Sequence, residues 1–461
     1  MINSAYSNPQ PTDLAPALPP NPPAMHESTL EPANDDSAIG VADRELPPEV
    51  ESYLATTQFH HLRYRGDGFE EYVAGYWRPV HSMALEQDVA YFYRTEATRA
   101  KVSGLTALLE LFQYVPESDV IQSPNHICLD NGTFNTITGV LDPHNPDHHL
   151  SSKLGFQYLP EAICPTWDAS LTQMFDGENG VQMIGLLQEM FGYCLVKDNS
   201  LHKFFIMLGN GGNGKSVVLH ILEQLLGPDN VTHAMVDQLR RNCVRAELGG
   251  KLANITHEMS PKPGQFDSHF KGIVSGDPFA ADRKFKDSKT VWTNAKLVMS
   301  TNQLPVLKDF SDGFRRRAVI IPFDRTFSVA EQDPQLKEKL IEEIEGIFVW
   351  ALVGWARLSA RKHFDLPAAS EAALSTYITE SDPVGLFVTQ ALEADTGGRM
   401  KPTLIHEYYS AWCSAFRFKA ENSIVVGKRL EKAGYDSRLS SGCKFWRVKP
   451  KAHNGFAWPA Q

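Results

Sequence analysis

Phe204 to Leu226 reads FFIMLGNGGNGKSVVLHILEQLL, and the fold turns on how this stretch is read. A short apolar run of strand length comes first, and Val218, Ile221, Leu222 and Leu225 then recur at helical spacing. Between them GNGGNGKS matches G-x-x-x-x-G-K-[S/T] from Gly209 to Ser216. A loop that wraps a triphosphate must turn its amide N–H groups inward, through backbone angles that glycine and asparagine adopt at low cost. Gly209, Asn210, Gly211, Gly212, Asn213 and Gly214 suit that task. The following helix N-terminus adds partial positive charge. Lys215 supplies a point charge for the β- and γ-phosphates, and the Ser216 hydroxyl a ligand for Mg²⁺. ATP and Mg²⁺ are therefore the expected ligands.

Hydrolysis needs more than a cradle: a carboxylate must polarise the attacking water, and another group must sense the γ-phosphate. KLANITHEM reads as an apolar strand whose end carries Glu258 toward the cradle. AKLVMSTNQLP repeats the pattern and delivers Thr301 and Asn302, whose amide can hydrogen-bond the γ-phosphate or the water. DGFRRRAVIIPF places Arg315, Arg316 and Arg317 just ahead of another core strand. Adjacent guanidiniums repel one another unless anions are near, and a neighbouring subunit's γ-phosphate is one such anion.

These runs define an α/β domain with a largely parallel sheet over residues 201–370. PQLKEKLIEEIEGIFVWALVGWARLSARK, starting at Pro334, reads as one helix that closes its core. Residues 1–48 hold ten of the 29 prolines and seven acidic residues against Arg44 alone, the composition of a disordered acidic tail. Residues 49–200 read as a helix-rich module with one or two hairpins, in which the VQMIGLLQEMFGYCLV helix can stop at Gly192. Residues 371–461 comprise a linker and a small winged-helix-like unit, with eleven Lys/Arg against four Asp/Glu between Lys401 and Lys451. At 461 residues and 42% hydrophobic content, the chain has material for two or three folded units.

The six cysteines lie far apart and form no C-x-x-C pair, which fits a reducing cytosol and offers no zinc-ligand spacing. The longest apolar run, FVWALVGWA, is about half of what a membrane span requires. A soluble, cytoplasmic protein is expected. Net charge of −11 taken alone argues against a nucleic-acid partner. The distribution argues otherwise: from Arg283 to Lys296 five basic residues face only Asp287, with Phe285 and Trp292 interleaved. Phosphate attraction with base stacking fits that segment, and Arg283, Lys284, Lys286 and Lys289 are its candidate DNA contacts.

In this order GNGGNGKS, the strand-end Glu258, KGIVSGDPFAADRKFKD, KLVMSTNQLP and FRRRAVIIPF resemble a superfamily 3 helicase. More narrowly, the chain is similar to the phage and plasmid helicase-primase family related to the poxvirus NTPase-primase. NHICLDNGTFNTITGVLDPHNPDHHLSSKLGFQY, CPTWDASLTQMF and LLQEMFGYCLV look like the helical module ahead of that family's core, and HEYYSAWCSAF like its C-terminal appendage. The resemblance implies an AAA+ type P-loop ATPase core assembled as a homo-hexamer, with ATP between subunits and single-stranded or forked DNA in the channel. It implies Walker A roles for Lys215 and Ser216, a catalytic Walker B role for Glu258, a sensor role for Asn302, and a trans-acting finger at Arg316 or Arg317. The segment from Phe270 to Lys296 is similar to the family's channel hairpin, whose basic tip grips the DNA backbone. Unwinding from 3′ to 5′ is the implied direction, in the cytosol of a bacterial host if a phage or plasmid encodes the chain.

Two departures from the family pattern stand out. Position 257 is His257 where a second acid is usual, so Glu258 does both jobs or an acid from elsewhere helps. The place of the family's primase domain holds only the acidic tail, so any primase is expected to be another polypeptide, alongside other replisome proteins. Competing with the helicase reading are an ATP-dependent origin-binding initiator, with the basic C-terminal unit reading the site, and a nucleotide-switched assembly protein of a mobile element.

Overall fold

In the computed structural model of the chain the described residues are 45–451 apart from 67, 117, 118, 121, 261–265, 282–288, 306, 308–311, 417, 441 and 442. Residues 1–44 of the acidic tail, and with them most of that expectation, lie outside the described residues. The four apolar runs named above are strands of one five-stranded sheet, ordered Ala318–Pro322, Phe204–Leu208, Lys296–Thr301, Ala253–Thr256 and Val231–Thr232. Every neighbouring pair in it is parallel. A parallel sheet covered on both faces needs apolar side chains at successive positions, which is why these strands read as unbroken runs.

Alternate residues divide between two cores. Phe205, Met207, Val298, Val319 and Ile321 pack with the helices Pro165–Met174, Gly180–Leu195, Lys215–Leu226 and Ile344–Arg361. Phe204, Ile206, Leu297, Met299 and Ile320 pack on the other face with Phe266, Phe270, Phe314 and Tyr377. Two helices from the 49–200 stretch therefore share the core of the sheet. The helix Ala368–Ser381 likewise crosses position 370 and buries Leu374 and Tyr377 against the sheet.

Residues ahead of these helices hold two three-stranded antiparallel sheets, Leu62–Arg65 with Gly68–Val73 and Tyr76–Pro79, and His126–Leu129 with Gly132–Asn135 and Leu141–Asp142. The helices Pro48–Thr56, Ser82–Tyr93 and Arg99–Phe112 enclose a separate small core with Val50, Tyr53, Leu85, Leu105 and Leu109. At the other end Pro383–Ala391, Pro402–Ala415 and Ser423–Lys432 surround Phe387, Tyr409, Trp412 and Trp446, beside the hairpin of Ser437–Ser440 and Cys443–Trp446. Among the described residues no helix is long and apolar enough to cross a membrane.

Two expectations are corrected. Gly192 does not stop its helix, which runs from Gly180 to Leu195. A Cβ at Gly192 would stand 2.5 Å from the Ala351 carbonyl oxygen and 2.6 Å from the Trp355 amide nitrogen, and one at Gly354 would meet the Gln188 backbone. The glycines thus serve a close helix crossing, each clearing space for the other helix's backbone. The stretch from Pro334, read as one helix, is two: Leu336–Ile341 and Ile344–Arg361. At the break the Glu343 carboxylate accepts from the Thr166 N–H (2.9 Å) and the Trp167 N–H (3.0 Å), orphan donors of the Pro165–Met174 helix.

The crossing makes glycine specific at these positions. Gly192→Ala and Gly354→Ala should each lower unfolding stability by about 1–3 kcal/mol through overpacking. Gly104→Ala, in an open stretch of the Arg99–Phe112 helix, should raise it by about 0.5–1 kcal/mol. Denaturant unfolding followed by circular dichroism checks the opposite signs.

Candidate nucleotide-binding site

The glycine-rich loop leaves the C-terminal end of the Phe204–Leu208 strand, an interior strand of the sheet, and enters the Lys215–Leu226 helix. Gly212 (φ 70°) and Gly214 (φ 91°) take left-handed angles that side chains resist, so the loop uses its glycines for the turn that the cradle requires. Its neighbours hold the shape. The Asn213 amide, only 3% exposed, donates to the Phe323 carbonyl at 3.1 Å, and the Phe327 N–H donates to the Gly212 carbonyl at 2.7 Å. Gly209 lies so close to Phe323 and Asn213 that a Cβ would strike both.

Lys215 is the buried charge of the loop, 5% exposed. Its Nζ donates to the carbonyls of Gly209 (2.7 Å) and Asn210 (2.9 Å) and to Asn213 Oδ1 (2.9 Å), with Asn302 Oδ1 at 3.4 Å. Burial lowers its pKa from the usual lysine value. An ammonium ion held among neutral dipoles beside an open cleft is suited to meet an anion.

That cleft has a volume of about 710 Å³. Gly211 through Ser216, His257, Glu258, Thr301 and Asn302 line it together, although they come from three segments of the sequence. Glu258 sits two residues past the Ala253–Thr256 strand, in a bend rather than at the strand's last position. The Ser300 hydroxyl donates to the His257 carbonyl and the Met259 N–H to the Ser300 carbonyl (3.0 Å), which ties this bend to the strand that delivers Asn302. Glu258, Asn302 and Ser216 are all exposed.

Sequence reasoning missed the opposite wall. Thr166, Ser170, Gln173 and Met174 of the Pro165–Met174 helix line the cleft, as do Phe327, Glu331, Gln332 and Asp333 beyond the last strand. A Cβ at Gly214 would stand 2.6 Å from the Met174 sulfur, so the loop and this helix are in close register. The Pro165–Met174 helix carries no motif of its own. Its sole legible signal was membership of the CPTWDASLTQMF stretch.

The arginines are elsewhere. None of Arg315, Arg316 and Arg317 lines the cleft. They precede the N-terminal end of Ala318–Pro322, which pairs in parallel with the glycine-loop strand, and the Arg317 carbonyl accepts from the Phe204 N–H at 3.0 Å. Arg317 donates to the Gly313 carbonyl (2.9 Å) and the Ser275 hydroxyl (3.0 Å), and burial followed by the charge of Arg316 lowers its pKa. Arg315 and Arg316 are exposed.

The basic segment is in part a hairpin: Phe279–Ala281 pairs antiparallel with Lys289–Val291. Arg283, Lys284 and Lys286 lie outside the described residues, and Lys289 begins the second strand. Trp292 is 61% exposed beside it. Lys296 does not belong to this basic group. It is buried, donates to the Asn294 (3.0 Å) and Val196 (2.5 Å) carbonyls, and burial pulls its pKa down to about 8.

Known proteins match parts of this chain. The "D5 N terminal like" family matches residues 52–176, and a family of unknown function (DUF5906) matches residues 207–317, which hold the loop, Glu258 and Asn302. The provisionally named helicase 121R of Invertebrate iridescent virus 3 is 23% identical over 294 residues, covering 57% of this chain and 29% of its own length. The provisionally named helicase L207/L206 of Acanthamoeba polyphaga mimivirus is 23% identical over 208 residues, covering 43% of this chain and 21% of its own length. The chain thus spans less than a third of each of these viral relatives. The apo structure of the NrS-1 C-terminal region (305–718) shares the fold with a TM-score of 0.53 at 12% identity, over 87% of this chain and 99% of that one. These matches support a relationship to phage and viral helicase-primase proteins of superfamily 3 type.

The Asn213 amide supports both the loop and the lysine. Asn213→Ala leaves the Phe323 carbonyl and one Lys215 proton without their partner, at about 1–3 kcal/mol. It should therefore weaken binding of a fluorescent ATP analogue by roughly tenfold or more while the far-UV spectrum stays unchanged.

Proposed function

We propose that this protein is an ATP-hydrolysing DNA helicase with an AAA+ type core, working as a ring, a homo-hexamer by family resemblance, that draws single-stranded DNA through its centre. The observation that carries the reading is the convergence of Lys215, Ser216, Glu258 and Asn302 on one cleft. Lys215 holds phosphate oxygens as a point charge, Glu258 takes the proton of the attacking water, and Asn302 positions that water against the γ-phosphate. Ser216 and Glu258 offer the hard oxygen ligands that suit Mg²⁺, which when bound neutralises phosphate charge. The wall formed by Thr166, Gln173, Phe327 and Gln332 suits the base and ribose.

Arg316 is the better of the two finger candidates, because the guanidinium of Arg317 is engaged within its own chain. The hairpin of Phe279–Ala281 and Lys289–Val291 is assigned to the DNA, and Arg283, Lys284, Lys286 and Lys289, read from the sequence, are the proposed backbone contacts. The direction of travel, 3′ to 5′, follows the family resemblance. A replication initiator that reads a particular site is the second reading, favoured by the excess of basic residues in the C-terminal winged-helix-like unit.

Strand displacement on 3′-tailed and 5′-tailed duplexes tests the proposal. Lys215→Ala should lose ATP hydrolysis and unwinding together, each by at least about 100-fold. Lys284→Ala combined with Lys286→Ala should lose unwinding and flatten the salt dependence of DNA binding by about two phosphate contacts, with DNA-free ATP hydrolysis retained. Wild-type ATP hydrolysis without displacement of either duplex, together with site-selective binding in high salt, would favour the initiator.

A further inference from the structure

The residue that departs from the family's acidic pattern, His257, lines the cleft and also meets a second cluster of titratable side chains. His257 follows the Ala253–Thr256 strand, and His233 follows its parallel neighbour Val231–Thr232, so both imidazoles emerge at the same end of the sheet. Glu223 reaches them from the third turn of the Lys215–Leu226 helix. His257 Nε2 is 2.6 Å from Glu223 Oε1, and His233 Nδ1 is 3.4 Å from the same oxygen. The two rings lie 6.0 Å apart at an interplanar angle of 27°. One potential ligand atom from each residue falls within 4.8 Å of the others.

We propose that Glu223, His233 and His257 form a binding site for a divalent transition-metal ion of the zinc class. Two imidazoles and a carboxylate are a recurrent zinc ligand set that leaves a coordination position for water. Metal–ligand bonds of about 2.0–2.2 Å place donors roughly 3.3–3.5 Å apart, and the candidate ligand atoms here lie within 4.8 Å of one another. The Glu223 side chain is 16% exposed and anchored, while those of His233 and His257 are 57% and 48% exposed, so an ion can enter from solvent. His233 Nδ1 also lies 3.1 Å from the Ile255 carbonyl. A metal ion held by that Nδ1, the atom 3.4 Å from Glu223 Oε1, would take the place of this contact. Magnesium prefers oxygen ligands and would not select this set, which separates the site from the one at Ser216 and Glu258. The ion would join the helix behind the glycine-rich loop to two adjacent strands.

The test uses the untagged, metal-stripped full chain without nucleotide, so its outcome does not depend on ATP hydrolysis. Titration with Co²⁺ in excess Mg²⁺ should show one equivalent bound, with the visible absorption of a low-coordinate ion, and Zn²⁺ should displace it and raise the unfolding midpoint. His233→Ala and His257→Ala should each weaken binding at least about tenfold. Glu223→Gln, which keeps the side chain's shape, should do the same, so that loss of binding is distinguishable from loss of fold. Wild-type protein that binds Co²⁺ no tighter than the His233→Ala/His257→Ala double variant, or a Glu223→Gln variant with unchanged affinity, would overturn the assignment.

Discussion

The rest of the site depends on one hydrogen-bonded strut, the Asn213 side chain. Its amide nitrogen donates to the Phe323 carbonyl and its oxygen accepts from Lys215, so one buried residue links the loop, its lysine and the end of the neighbouring strand. With that link in place, Gly209 has no room for a side chain and Lys215 Nζ lies within reach of two loop carbonyls. The cradle is thus shaped by contacts within the chain itself. On the proposed reading, an anion that binds there replaces carbonyl dipoles around the ammonium ion.

The wall facing the loop is held to the core by a different device. Glu343 sits where one expected helix divides into two, and its carboxylate satisfies two N–H groups at the start of the Pro165–Met174 helix. A carboxylate at a helix N-terminus is favoured by the dipole and by the unpaired donors there. The nearby charge adds to burial in raising the pKa of Asp168 on that helix. Through this contact the helix carrying Gln173 and Met174 follows the core, and the reciprocal glycines at 192 and 354 lock the next helix beside it.

What could be read from the sequence was whatever has a local cause. The strand runs were legible because a sheet covered on both faces needs apolar residues without alternation, and the loop because its glycines answer a backbone demand. Val231–Thr232 was not legible, since two residues carry no periodicity. Gly192 was misread because a helix stop and a close helix crossing present the same letter, and only the partner helix distinguishes them. The break at Glu343 was hidden because glutamate favours helix and its reason lies some 177 positions away, at Thr166. Thr166, Gln173 and Met174 offered no signal of a site: a threonine, an amide and a thioether on a helix are ordinary until the fold sets them opposite a glycine-rich loop. Lys296 shows the reverse error, a lysine counted with an exposed basic group that the fold buries.

The position of the arginines constrains assembly by geometry alone. In a parallel sheet all strands point the same way, and the loop with its lysine leaves the C-terminal end of Phe204–Leu208. Arg315, Arg316 and Arg317 precede the N-terminal end of the adjoining strand, and the Arg317 carbonyl pairs with Phe204, the first residue of the loop strand. A five-residue strand at about 3.3 Å per residue therefore separates the cluster from the loop of its own chain by roughly 16 Å. That exceeds the reach of an arginine side chain, and the intervening strand is fixed at both ends. Any arginine from this cluster that acts on a phosphate held by Lys215 must come from another copy of the chain. Arg315 and Arg316 are exposed, while Arg317 is tied to Gly313 and Ser275.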